Sequence, residues 1–176
     1  CVCVCVCVCV CVCVCVCVCV FVFECLCVFV LVCVCVCVWE SFLDRKHRLY
    51  SCAYWKDDTK TLEEAQQNKI EHIVKKLDIK KGQKVLEVGC GWGGMAIEIA
   101  KQKNCEVTGI SLSKNQIQYC KEKAKKLGLD NQLKFELIDY REAKGQYDRI
   151  YSVGMFEHVG KKFYHTFFKS MNNLLK

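Results

Sequence analysis

The chain has 176 residues, 26 of them Lys or Arg and 19 Asp or Glu, for a formal charge of +7. Those averages join two unlike pieces, because residues 1–38 are almost pure Cys-Val alternation while residues 39–176 read as ordinary globular sequence, enough for one domain with a sizeable core. Only Cys52, Cys90, Cys105 and Cys120 fall in the second piece, without zinc-ligand spacing, which excludes a disulfide scaffold or zinc module and points to free thiols in a reducing compartment.

The leading tract alternates with period 2, so as a strand it would put Cys on one face and Val on the other, and its apolar length also nominates a membrane span. Val is a poor helix former, no basic flank precedes the run and no cleavage-site pattern follows it. A TG dinucleotide repeat, read TGT-GTG, encodes Cys-Val. Phe21, Phe23, Glu24, Leu26 and Phe29 each lie one base from that pattern. The tract is therefore expected to be a translated microsatellite at the edge of a gene fragment, without unique packing and prone to edge-to-edge pairing.

The remaining chain carries all 26 cations against 18 acids, leaving +8. That balance suits an anionic membrane face, nucleic acid or a plain surface, and charge alone does not choose. Thr61-Leu-Glu-Glu64 predicts a capping box, opening a helix that carries Leu62, Ala65, Ile70, Ile73, Val74 and Leu77 and stops near Asp78. Val85–Val88 predicts a strand, followed by a glycine cluster at 89–94 and a helix to about Lys103. Glu106–Ile110 is a second strand. Ser113-Lys-Asn-Gln116 opens a helix to about Leu127, with Gly128 beyond its end. Strands at Leu133–Ile138 and Tyr147–Val153 and a helix over Lys162–Leu175 complete a β-α-β-α-β-β-α order. Such alternation implies an α/β fold, a parallel sheet with helices on both faces. Only four strands are present, so the sheet is expected to be incomplete at its C-terminal side, with an apolar fourth strand at the edge.

The pattern Gly89-x-Gly91-x-x-Gly94 lies between a strand and a helix, where backbone approaches a ligand and free N–H groups face it. This fingerprint alone does not separate cofactors. Glu87, inside the strand, suits a cationic amino-acid moiety and would repel pyrophosphate. The second strand ends Gly109-Ile110-Ser111, without the acid that holds a nicotinamide cofactor's ribose. Asp139, just past the third strand, could meet adenine. Together these favour S-adenosylmethionine over NAD. Each has a plainer alternative: Glu87 as a polar strand residue, Gln116 as a helix cap, Asp139 as a strand terminator, Trp92 as a core aromatic, Cys52 as a small hydrophobe and Glu157 as a helix N-terminal acid.

The stretches LYSCAYW (Leu49–Trp55), VLEVGCGWGG (Val85–Gly94), VTGISLSKNQ (Val107–Gln116), DYR (Asp139–Arg141) and YDRIYSVGMFEHVG (Tyr147–Gly160) occur together and in order. Over about residues 43–176 the chain resembles the cyclopropane-fatty-acyl-phospholipid synthases and their mycolic-acid-modifying relatives. The resemblance implies the Rossmann-like, doubly wound parallel sheet of class I methyltransferases, with residues 39–176 as the N-terminal part of that domain. It implies methyl transfer from S-adenosylmethionine to a cis double bond of a phospholipid acyl chain, through a carbocation that closes to a cyclopropane ring, with bicarbonate as base. An alkene is a feeble nucleophile, so such a site must exclude water and stabilise a cation.

By motif, the resemblance assigns Tyr50 and Ser51 to the cofactor, and Glu87, Gly89 and Gly91 to its methionine and ribose side. It assigns Ser111 and Gln116 to the ribose and Asp139 and Tyr140 to adenine, with Cys52 near the bicarbonate and Glu157 orienting it. It further implies a cytoplasmic protein, peripheral at the membrane, with no nucleic-acid partner and a homodimer among the open oligomeric states. The family's region upstream of LYSCAYW is replaced here by the repeat. Its C-terminal strands, with a His and a Tyr of the bicarbonate site and the lipid lid, are missing, so the chain itself is expected to bind cofactor poorly and to be inactive. Three other readings stay open: a methyltransferase acting on a sterol or other lipid, a dinucleotide-binding oxidoreductase, and a non-catalytic fragment.

Overall fold

The computed structural model describes residues 43–176; the Cys-Val tract, and with it the choice between strand, membrane span and artefact, lies outside the described residues. The chain divides after Arg45, and the second unit, Lys46–Lys176, carries every helix and strand described.

Helix α1 (Leu62–Leu77) begins at the expected capping box. The Glu64 N–H donates to Thr61 Oγ1 at 3.2 Å, while Glu64 Oε2 accepts from the Thr61 N–H at 3.2 Å and the Lys60 N–H at 2.8 Å. The helix ends where Asp78 turns left-handed, φ 46°. Its buried stripe is Ala65, Gln66, Lys69, Ile70 and Val74. The apolar members were legible from spacing, but Leu62, Ile73 and Leu77 are only partly buried. Two polar side chains share the stripe instead.

Strands β1 (Lys84–Val88), β2 (Glu106–Ser111), β3 (Leu133–Leu137) and β4 (Arg149–Tyr151) form one parallel sheet in the order β3-β2-β1-β4. Period-2 geometry divides the side chains between two cores. Val85, Val107, Phe135 and Tyr151 join one core with Ile70 and Val74 of α1, residues of α2 (Gly94–Lys103) and residues of α3 (Lys114–Lys126). Leu86, Val88 and Ile110 join the other with Phe167, Met171 and Leu174 of α4 (Tyr164–Leu174). The doubly wound expectation thus holds, three helices covering one face and one the other.

Differences from the sequence reading concentrate after β3. The fourth strand spans three residues, because Val88 O accepts the Ser152 hydroxyl at 2.8 Å instead of a strand N–H. At its other end Tyr147 pairs with the chain's tail, its N–H donating to Leu174 O at 2.8 Å and its carbonyl accepting from Lys176 N–H at 3.0 Å. As expected, β4 is an edge of the sheet among the described residues, with one isolated parallel bridge from Leu175 to Tyr147 just before it. The last helix is shorter than expected and follows two 3-10 turns, Phe156–His158 and Lys161–Phe163, separated at Gly160. Among the described residues no helix is long and apolar enough to cross a membrane.

A helix cap is worth about 1 kcal/mol, against ~2–5 kcal/mol for truncating a buried Ile to Ala, so packing holds α1 more than its cap does. Thr61→Ala should therefore lower stability in urea by about 1 kcal/mol, and Ile70→Ala by ~2–5 kcal/mol, with an unchanged denaturant slope in both.

Candidate functional site

The carboxyl ends of β1, β2 and β3 open into a cleft of about 540 Å³ lined by residues of all three. Val88, Gly89 and Gly91 come from the first crossover, Ile110, Ser111, Leu112, Ser113 and Gln116 from the second, and Ile138, Asp139 and Tyr140 from the third. Tyr50 joins from before α1; Gly154, Met155, His158 and Val159 join from beyond β4. The position, outside the strand ends of an open α/β sheet, is where this architecture binds ligands.

The glycine turn does what its spacing promised. Gly89 (φ 87°) and Gly91 (φ 52°) lie in the left-handed region, and each is crowded. A Cβ on Gly89 would sit 2.5 Å from Met155 Cβ, and one on Gly91 would sit 3.1 Å from Tyr50 Cε1. Backbone therefore forms the floor, and helix α2 follows immediately, with Gly93 as an N-cap that places no side chain over the first turn.

Glu87 lies beneath this floor, 4% exposed, and does not line the cleft wall. Burial pushes its carboxyl up to about 8, while Tyr151, the Ala96 N–H and the Lys69 cation oppose the rise. The Tyr151 hydroxyl stands beside the carboxyl, yet neither Glu87 Oε2 nor that hydroxyl closes a full hydrogen bond. An orphaned acid at the base of a cleft is costly to the fold and suited to a cationic ligand group.

On the β2 side, the Ser111 hydroxyl donates to Gln116 Oε1 at 2.9 Å, and Ser111 Oγ accepts from the Ser113 N–H at 3.2 Å. Ser113 caps α3 by accepting from the Gln116 N–H at 3.4 Å, but the Gln116 side chain does not complete a capping box. It faces the cleft, beside Ser111 and Tyr50. Burial raises the Tyr50 hydroxyl above its ordinary value, aided by Cys90 and Glu87, while a hydrogen bond from Gln116 pulls the other way.

At the β3 end, Asp139 carries more partners than its strand-end position required. Arg141 donates to Asp139 from its backbone N–H at 2.9 Å, from Nε at 2.8 Å and from a terminal guanidinium nitrogen at 2.7 Å. These bonds hold the Asp139 carboxyl below its usual range. Tyr140 packs edge-on to Phe167, ring centroids 5.1 Å apart.

The cleft thus gathers Tyr50, Gly89, Gly91, Ser111, Gln116, Asp139 and Tyr140. Ser51, Cys52 and Glu157 stand outside its lining. Cys52 is exposed, two residues from Tyr50, and Glu157 is exposed on the turn between lining residues Met155 and His158. Ser51 is turned toward α1, where Lys69 Nζ donates to its Oγ at 2.8 Å and its carbonyl at 3.1 Å. Gln66 Nε2 donates to the carbonyls of Leu49 at 3.1 Å and Ser51 at 3.2 Å. Gln66, Lys69, Arg141, Tyr151 and Met155 escaped the sequence reading. For Gln66 and Lys69 a signal existed: polar residues at the core-facing spacing of Ala65, Ile70 and Val74. Cys90 and Cys120 are buried, both thiols directed at the Gly91 carbonyl, and the neighbouring Cys120 thiol together with burial pushes Cys90 far above the thiol range. Among the described residues no cluster fit for a metal ion occurs.

Comparison with known proteins places this geometry. The family described as "Mycolic acid cyclopropane synthetase" matches residues 36–176. The cyclopropane-fatty-acyl-phospholipid synthase of Escherichia coli K12 is 47% identical over 127 residues, covering 72% of this chain and 32% of that protein. The methoxy mycolic acid synthase MmaA3 of Mycobacterium tuberculosis is 36% identical over 128 residues, covering 73% and 44%. Among solved structures, the mycolic acid cyclopropane synthase CmaA1 complexed with SAH and CTAB superposes with a TM-score of 0.74 at 35% identity, over 78% of this chain and 48% of that one. The chain therefore spans about a third to just under half the length of the relatives it matches.

Glu87 supplies a pH signature. Its folded value, about 8, exceeds the ordinary 4.5, so the folded state holds a proton that the unfolded state has released. The stabilising effect of that proton is complete below pH 4.5 and lost as pH rises toward 8, falling by about 1.4 kcal/mol per pH unit between. Glu87→Gln, neutral in both states, should match the parent's stability near pH 4.5 and exceed it increasingly up to pH 8, as read by urea midpoints across that range.

Proposed function

The chain belongs to the mycolic acid cyclopropane synthetase family, and from that premise we propose that it carries the S-adenosylmethionine site of a lipid methyltransferase. The observation that carries this reading is the pairing of an orphaned, buried Glu87 with an acid-free β2 end. A cationic amino-acid group suits the first, and a ribose satisfied by Ser111 and Gln116 suits the second. A dinucleotide would bring pyrophosphate toward a carboxylate and find no acid for its ribose.

The residues fit the cofactor. Gly89 and Gly91 leave backbone room above Glu87, Gln116 presents a side-chain amide to the ribose, and the Asp139-Tyr140 pair offers an acceptor and a ring to adenine. Arg141 holds Asp139 below the usual carboxylate range and so favours its ionised form, an acceptor. The Tyr50 ring lies against Gly91 and lines the cleft. The cofactor, when bound, supplies an electrophilic methyl group.

The proposed substrate class is a cis-unsaturated phospholipid acyl chain, met at the membrane surface by a cytoplasmic, peripheral enzyme. Support comes from the relatives' names and from the apolar side of the cleft, where Ile138, Met155 and Val159 face the same space as Gly89. Cys52 and Glu157, assigned to bicarbonate by the resemblance, are both exposed. They do not make a closed ion site by themselves, and no part of the cofactor site depends on that ion. A homodimer is compatible with the reading and not required by it.

Calorimetric titration of the full chain should show weak S-adenosylmethionine binding, at concentrations where NAD does not bind. Gln116→Ala should weaken it about tenfold, roughly 1.4 kcal/mol. Tighter binding of NAD would overturn the cofactor assignment. In an enzyme completed to family length, label from the cofactor's methyl group should enter cis-unsaturated and not saturated phospholipid; transfer to a sterol instead would replace the substrate class.

A further inference from the structure

Lys69 occupies a place that the cofactor reading does not use. A lysine inside a protein gives up hydration, and it is rarely buried unless paired. Here the side chain is 7% exposed, within the apolar stripe of α1, one turn from Ala65 and beside Ile70. Its Nζ donates to two oxygens of a single residue, Ser51 Oγ at 2.8 Å and Ser51 O at 3.1 Å. Gln66, on the same stripe and 3% exposed, holds the carbonyls of Leu49 and Ser51, and Ala65 O accepts the Tyr54 N–H at 3.1 Å. The segment that delivers Tyr50 to the cleft is thus fastened along its length to α1. Tyr50 sits between two of these fastened carbonyls, with its ring against Gly91. The same ammonium lies within electrostatic reach of Glu87 and favours the ionised carboxylate there.

We propose that Lys69 is a positioning residue for the cleft: held between α1 and Ser51, it fixes that segment and so the Tyr50 ring over the glycine floor. The inference deepens the S-adenosylmethionine reading and rests on it for the ligand. Helix α1 then serves as more than packing, since its buried face carries a charge that serves the site on the far side of the segment.

Beside burial, three groups act on the titration of Glu87: Tyr151 from β4, the Ala96 N–H from α2 and Lys69 from α1, while Tyr50 and Cys90 lie close enough to feel its charge. Of these, Lys69 is the cation. Binding of a cationic group needs the carboxylate, so affinity should rise with pH as Glu87 loses its proton. Removing Lys69 should move that rise to higher pH, which a merely structural lysine would not do.

The test uses the full chain titrated with S-adenosylmethionine from pH 6 to 9, with amide hydrogen exchange of residues 49–54 measured without ligand. Lys69→Met should bind at least about tenfold more weakly at pH 7, roughly 1.4 kcal/mol. The midpoint of its pH profile should lie above the parent's, and residues 49–54 should exchange faster. Lys69→Arg should restore the midpoint, and Lys76→Met, an exposed lysine of the same helix, should leave all three readouts unchanged. Should Lys69→Met fail to fold, Lys69→Gln removes the charge while keeping a donor, and its midpoint must still rise. An unchanged midpoint and unchanged exchange in the neutral variants would overturn the proposal. A parent chain that binds no S-adenosylmethionine would instead overturn the cofactor reading. The exchange comparison, which needs no ligand, would still decide whether Lys69 fixes the segment.

Discussion

The structure turns on a carboxyl buried in the middle of a parallel sheet. Glu87 sits on the face of β1 that also carries Val85, under α1 and α2 and beside Tyr151 of the neighbouring strand. An acid in that place disfavours the empty fold, because its charged form loses hydration and its second oxygen finds no complete hydrogen bond. The surrounding parts answer that cost in different ways. Lys69 brings charge, the Ala96 N–H at the start of α2 brings a donor, and the glycine turn leaves the space above it open to a ligand. Replacing the acid by an apolar residue would make a better core and remove the reason for the cleft.

The cleft itself is a product of topology. Parallel strands put three crossover loops at one edge of the sheet, so residues 88–91, 110–116 and 138–140 meet although far apart in the chain. Each loop adds a different chemistry: bare backbone from the glycines, neutral hydrogen bonding from Ser111 and Gln116, and an ionised acceptor from Asp139 clamped by Arg141. The segment before α1 supplies the remaining cover, and its placement depends on polar bonds from Gln66 and Lys69 more than on its own packing. The proposed cofactor reading rests on these walls. The family to which the chain belongs agrees with that reading.

Much of this was legible before any coordinates. The capping box at Thr61 and Glu64, the strand at Val85–Val88, the glycine cluster and the cap at Ser113 depend on residues close in sequence, and each formed where local chemistry placed it. That the three crossovers open at one edge of the sheet was legible for the same reason, since strand ends and helix starts are local signals, while the residues named on them came from the family motifs. The region after β3 was read less well. The length of β4 was decided by the Ser152 hydroxyl taking Val88 O and by Tyr147 pairing with Leu175, both contacts across long stretches of chain. The last helix starts two residues later than expected, after the 3-10 turn Lys161–Phe163 and without a side-chain cap.

What the sequence by itself determined is the order of elements, the parallel sheet and the acid beneath a glycine turn, because periodicity, capping and turn chemistry act over a few residues. It could not say that Gln116 turns from capping toward Ser111 and Tyr50, that Arg141 occupies Asp139, or that Ser51 faces α1 while Cys52 and Glu157 remain exposed. It marked Lys69 only as a polar residue at the core-facing spacing of its helix and did not say which groups it would meet. Only the tertiary structure decided those points. A side chain's hydrogen-bond partner, and the burial that gives a charge its strength, depend on which distant segments the sheet brings together.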